Sequence, residues 1–243
     1  MGDRYRLHDL VADFAHEQAL AVESAAERTA AVTRLLTGWL AQGLDPERVV
    51  IIDPHISDDI RATADRGVRL NPTEQETGPA AVLVLAVKPQ MFREAGAALR
   101  PRVGPDTLVV SIMAGTTIAS IADLCGGAVV RAMPNTPAAI GRGITVAVPA
   151  ATVTAEQRSV ADALLHATGS VEWVDDETLI DAVTAVSGSG PAYVFLLAES
   201  LARAGAAAGL PAELAERLAR VTVAGSGELL HQSTETAGTL RKN

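Results

Sequence analysis

The sequence predicts an α/β protein: a parallel sheet covered by helices, followed by a wholly helical region. Three short β-branched runs, "RVVIIDP" (48–54), "AVLVLAVKP" (81–89) and "TLVVSIMAG" (107–115), end at Pro or Gly as buried parallel strands do. Between them "DDIRATADRG" and "QMFREAGAALRP" leave room for covering helices. Beyond about Ala150 the apolar residues recur at helical spacing.

Taken in order, the chain opens with helical periodicity over 5–20, carried by Leu7, Leu10, Val11 and Phe14, and resumes through "AAVTRLLTGWLAQG" with Gly43 as the stop. The three strand runs follow. A fourth, "AVVRAMP", leads into "NTPAAIGRGITVAVP". Then "TAEQRSVADALLHATG", "DETLIDAVTAVSG", "PAYVFLLAESLARAGAAAG" and "PAELAERLARVTVAGSGELLH" read as successive helices. This places a domain boundary near Pro149. "AVSGSGPAY" (185–193) reads as a flexible turn with Pro191 at the first helical position, whose free N–H groups would suit an anion. The alternative is a tight turn between packed helices.

With 243 residues, 48% of them hydrophobic, the chain can bury a sizeable core. A net charge of -9 argues against a nucleic-acid surface and points to small metabolites. Cys125 is the sole cysteine, so no disulfide framework or thiolate cluster exists, as suits a reducing cytoplasm. No apolar run approaches the roughly 18–20 residues of a membrane span, and the polar start lacks signal-peptide character. The expectation is a soluble, cytoplasmic protein without membrane or nucleic-acid partners.

Lys88 stands at the carboxyl end of a buried strand, directly before Pro89, where it either reaches an anionic ligand or snorkels to solvent. Asp53 ends the preceding strand, where a carboxylate can bond ribose hydroxyls; ordinary turn chemistry is the alternative. Prolines bracket Asn135 and Thr136, fixing polar side chains on a stiff loop or building an Asx-type turn. The five histidines show no metal-ligand spacing, and there is no GxSxG elbow.

"VLAVKPQ", "VVSIMAG", "VVRAMPNTPAAIGRGIT" and "LIDAVTAVSGSGPAYVFLLAESLARAGAAAGLP", in this order, resemble the signature blocks of pyrroline-5-carboxylate reductase. The resemblance runs from about Leu35 to Asn243. It implies a Rossmann-like domain over 35–149 and a helical substrate and dimerisation domain over 150–243. It also implies NADPH or NADH as cofactor, reduction of 1-pyrroline-5-carboxylate to L-proline, and self-association as a dimer or higher oligomer. Ala86, Val87, Lys88 and Pro89, with Ile112, Met113 and Ala114, resemble the family's cofactor-binding loops, and Asn243 the asparagine near the nicotinamide nucleotide. Glu177 sits where the family contacts substrate, and Ser187, Gly188, Ser189 and Gly190 resemble the turn beside the imino acid. No acid–base residue is assigned, because a protonated cyclic imine is already an electrophile.

The family opens with a strand and a GxGxxG-like turn. Residues 1–34 read instead as an atypical helical segment, so the first strand and its phosphate cradle are expected to be missing. The family also continues past "LRKN" into further helices. Both departures raise the alternative of a poor or inactive enzyme serving as an oligomerisation module.

Overall fold

The computed structural model describes Trp39 and residues 43–242. The strands are β1 (Val50–Ile51), β2 (Arg69–Leu70), β3 (Ala80–Leu85), β4 (Val103–Ser111), β5 (Ala128–Met133), β6 (Gly143–Pro149) and β7 (Gly169–Trp173). The helices are α1 (Asp58–Ala64), α2 (Glu74–Thr77), α3 (Phe92–Leu99), α4 (Ile118–Cys125), α5 (Ala155–His166), α6 (Ile180–Val183), α7 (Gly190–Ala207), α8 (Ala212–Gln232) and α9 (Ala237–Lys242). They fall into two compact units, one ending at Gly188 and one beginning at Ser189.

In the first unit β3, β4 and β5 are parallel neighbours, and their largely apolar runs suit strands covered on both faces. Val109 and Val129 pack with Leu85, Phe92, Ile121 and Cys125 under α3 and α4, while Val110, Val130 and Ala132 face Ala161 and Leu165 of α5. The sheet is not parallel throughout: β6 runs antiparallel to β5, and β7 parallel to β6. The connection to β6 holds only the 3₁₀ turn Thr136–Ile140, whereas a parallel return needs a crossover of about a dozen residues or more.

β1 and β2 pair as a two-stranded sheet of their own, and among the described residues no strand joins them to β3. Residues 1–34, with the expected helix over 5–20 and the place of the first strand, lie outside the described residues. Trp39 ties the two sheets together. Its ring packs on the Ile51, Ile60 and Val68 cluster, and its Nε1–H donates to the Leu164 carbonyl of α5 at 2.8 Å.

The boundary expected near Pro149 lies later in the chain. α5 covers the sheet and β7 extends it, from Gly143↔Gly169 to Ala147↔Trp173, so 150–173 belongs with the strands. Nor is there a turn at Ser187–Gly190. Thr184–Gly188 is a π-helical segment, Ser189 is right-handed helical, and neither Gly188 nor Gly190 has a positive φ. Gly188 instead serves close packing, since a Cβ there would lie 2.6 Å from Met133 Cε.

The helical stretch Glu177–Ala207 is long and apolar enough, by length and composition, to cross a membrane, with mean hydropathy 1.3. This corrects the reading that no apolar run reaches that size. In the second unit, α7 and α8 approach closely where Gly205 faces Ala215. The buried apolar residues described there are Ala215 and Ala219, while Phe195, Leu196, Leu197, Val221 and Leu229 are exposed.

Candidate active site

β3, β4 and β5 point the same way, so their carboxyl ends share one edge, where open α/β sheets bind ligands. After β3, Ala86, Val87 and Lys88 are half-buried and Pro89 opens a 3₁₀ turn. After β4 come Ile112, Met113 and Ala114. The Ile112 N–H donates to the Leu85 carbonyl at 3.1 Å, holding the two loops side by side. Met113 is 2% exposed and packs into the core, so any ligand contact falls to its backbone. Ala114 and Gly115 are exposed; Gly115 has φ +67, and a Cβ there would meet nothing within 4 Å.

Asp53 follows β1. Its Oδ1 accepts the His55 N–H at 2.7 Å, and its own N–H and carbonyl are both bonded to the Asn71 side chain. Asn135 is spent on structure, its Oδ1 accepting the Ile144 N–H at 3.0 Å.

Glu177 is drawn into a network absent from the sequence reading. Its Oε1 accepts both Arg131 Nη1 of β5 and the Ile118 N–H that opens α4, each at 2.8 Å. Arg131 is 5% exposed; the signal was a charge inside an otherwise apolar "VVRAM" run. Asp176 caps the turn carrying Glu177, accepting the Thr178 hydroxyl at 2.7 Å and N–H at 2.9 Å, and these bonds hold its carboxyl below the usual value. Burial pushes the Cys125 thiol up, as suits an inert core residue.

Of the expected site residues, the structure thus joins 86–89 with 112–114 and links Glu177 to the start of α4. The Ser187 hydroxyl donates to the Val183 carbonyl at 3.1 Å, within its helix. Ser189 and Gly190 open the second unit. Asn243 lies outside the described residues. In that second unit the Tyr193 hydroxyl is buried with no hydrogen-bond partner among the described residues.

Two loops held together at a strand edge, with open space at Gly115, fit a flat cofactor ring, and the Asp53 carboxylate fits ribose hydroxyls. Residues 30–115 match the family model "NADP oxidoreductase coenzyme F420-dependent", and residues 177–243 match "Pyrroline-5-carboxylate reductase dimerisation". Pyrroline-5-carboxylate reductase of Pseudomonas aeruginosa is 39% identical over 211 residues, 86% of this chain and 77% of that one. The chain belongs to the pyrroline-5-carboxylate reductase family. The Synechocystis reductase is 42% identical over 197 residues, 78% of this chain and 71% of that one. Among solved structures, the Coxiella burnetii pyrroline-5-carboxylate reductase has a TM-score of 0.78 at 32% identity, covering 88% of this chain and 80% of its own. The Plasmodium falciparum pyrroline carboxylate reductase, solved with NADP bound, has a TM-score of 0.72 at 26% identity, covering 88% and 78%.

Proposed function

We propose that this chain reduces 1-pyrroline-5-carboxylate to L-proline with NADPH or NADH, as an oxidoreductase acting on a CH–NH bond in proline biosynthesis. The observation that carries the reading is 39% identity to such a reductase over 86% of the chain. No observation among the described residues favours the alternative of an inactive module.

The reduced nicotinamide, when bound, supplies the hydride. The work left to the chain is binding, orientation and exclusion of water from a C=N group that is electrophilic once protonated. Ala86, Val87, Lys88 and Pro89 with Ile112, Met113 and Ala114 would hold the nicotinamide end, Met113 by its backbone alone. Asn243 would lie near the same nucleotide. Asp53 would accept a ribose hydroxyl and repel a 2′-phosphate, so NADH is accepted at least as well as NADPH. Glu177 and Ser187, Gly188, Ser189 and Gly190 would line the imino acid, and α7 opens at Gly190 with Pro191 in its first turn.

Self-association through residues 177–243 would cover Phe195, Leu197, Val221 and Leu229, which a lone chain leaves in water. The place of action is the cytoplasm, consistent with the single, unpaired Cys125. Steady-state oxidation of NADH and of NADPH by the full chain with the cyclic imine is the test. Imine-dependent turnover is expected with both, and its absence with both overturns the reading.

A further inference from the structure

Arg131 occupies a position that apolar side chains fill elsewhere in β5. Val129 and Met133, two residues away on either side, share its face of the strand, one packed into the cluster under α3 and α4 and the other into the cluster around Ile180. An ion pair that takes Arg131 out of water, with Glu177 still partly exposed, gains little over apolar residues of similar volume, so stability gives poor grounds for it. Its geometry is more telling. One oxygen of Glu177 receives both the Arg131 guanidinium and the first amide of α4, while Thr117, just before α4, accepts the Ser120 N–H at 3.2 Å. Arg131 is also in register with Ser111, the last residue of β4 before the 112–117 loop. Three segments therefore meet at one carboxylate: the end of β5, the loop running into α4, and the turn that carries Glu177.

We propose that Arg131 is a positioning residue for the reductase reaction. Resting on the functional reading above, it fixes the Glu177 carboxylate on the α4 amide, so that the cofactor-side loop 112–117 and the substrate-side segment from Glu177 hold one geometry. The guanidinium touches neither reactant; it acts through Glu177.

The test uses the full chain with Arg131→Met, Arg131→Lys, Glu177→Ala and the Arg131→Met/Glu177→Ala double variant. Hydrogen exchange of a peptide spanning 112–125 reads the clamp without any substrate, and faster exchange is expected in Arg131→Met. In kinetics, folded Arg131→Met loses about tenfold or more in kcat, the scale of a small misplacement of reacting groups. Arg131→Lys recovers part of that loss by keeping the charge, and the double variant is no worse than Glu177→Ala. If Arg131→Met does not fold, Arg131→Lys carries both readouts, with a smaller loss expected. Unchanged exchange, kinetic constants within about twofold of wild type, or penalties that multiply in the double variant each overturn the proposal. A wild-type chain that reduces no imine overturns the functional reading instead, while exchange still judges the clamp.

Discussion

The side chain of Asn71 continues the β1–β2 pairing past the last strand residues: its Oδ1 accepts the Asp53 N–H at 2.9 Å and its Nδ2 donates to the Asp53 carbonyl at 2.8 Å. Asn71 has φ +47, the only positive value at a non-glycine among the described residues, and asparagine tolerates that conformation better than most.

Asn71→Ala removes both bonds and leaves a strained backbone, whereas Asn71→Gly removes the bonds alone. A loss of about 1 kcal/mol per bond is expected in denaturant unfolding, with the Ala variant the weaker of the two. Because these bonds aim the Asp53 loop, the KM for NADH rises roughly fivefold while that for the imine stays put. Equal changes in both KM values would separate Asn71 from the cofactor.

At the far edge of the sheet, Gly169 has φ +141, and a Cβ there would lie 2.0 Å from the Gly143 carbonyl oxygen. That contact is backbone against backbone and cannot relax by a rotamer change. Gly169→Ala is expected to cost about 3 kcal/mol or more by breaking the β6–β7 pairing, measured as a shift of the urea midpoint.

The Asp176 cap gives a pH prediction. Hydrogen bonds from Thr178 hold its folded pKa below the ordinary 3.8, so its contribution is present above that value and is lost as pH falls through the folded pKa. Asp176→Ala therefore lowers the melting temperature at neutral pH, and the gap from wild type narrows as the pH falls below 3.8. A gap of constant size across that range would show that the carboxylate charge plays no part.

The sheet was legible where its strands hold apolar runs: β5 falls inside a segment that read as strand, while β3 and β4 overlap theirs but begin earlier, at Ala80 and Val103. β2 is two residues long and β7 offers only Val171 and Trp173 in alternation, too little for period-two spacing to register. The Gly-Ser run at 187–190 spoke for a turn. There the chain is π-helical through Gly188 and right-handed at Ser189, and the glycine admits Met133, a contact between distant parts of the chain that no local signal announces. Arg131 and Glu177 were legible singly, as a charge in an apolar run and as a family position, but their direct contact joins distant parts of the chain and no local pattern announces it.

The most direct measurement follows the hydride itself. The full chain is incubated with 1-pyrroline-5-carboxylate and NADH or NADPH carrying deuterium at both C4 positions of the nicotinamide, and the product is analysed by mass spectrometry and NMR. The predicted result is L-proline carrying a single deuterium at C5, formed in proportion to cofactor oxidised. Proline without label, or no proline from either cofactor, would contradict the assignment of this chain as an imine-reducing enzyme.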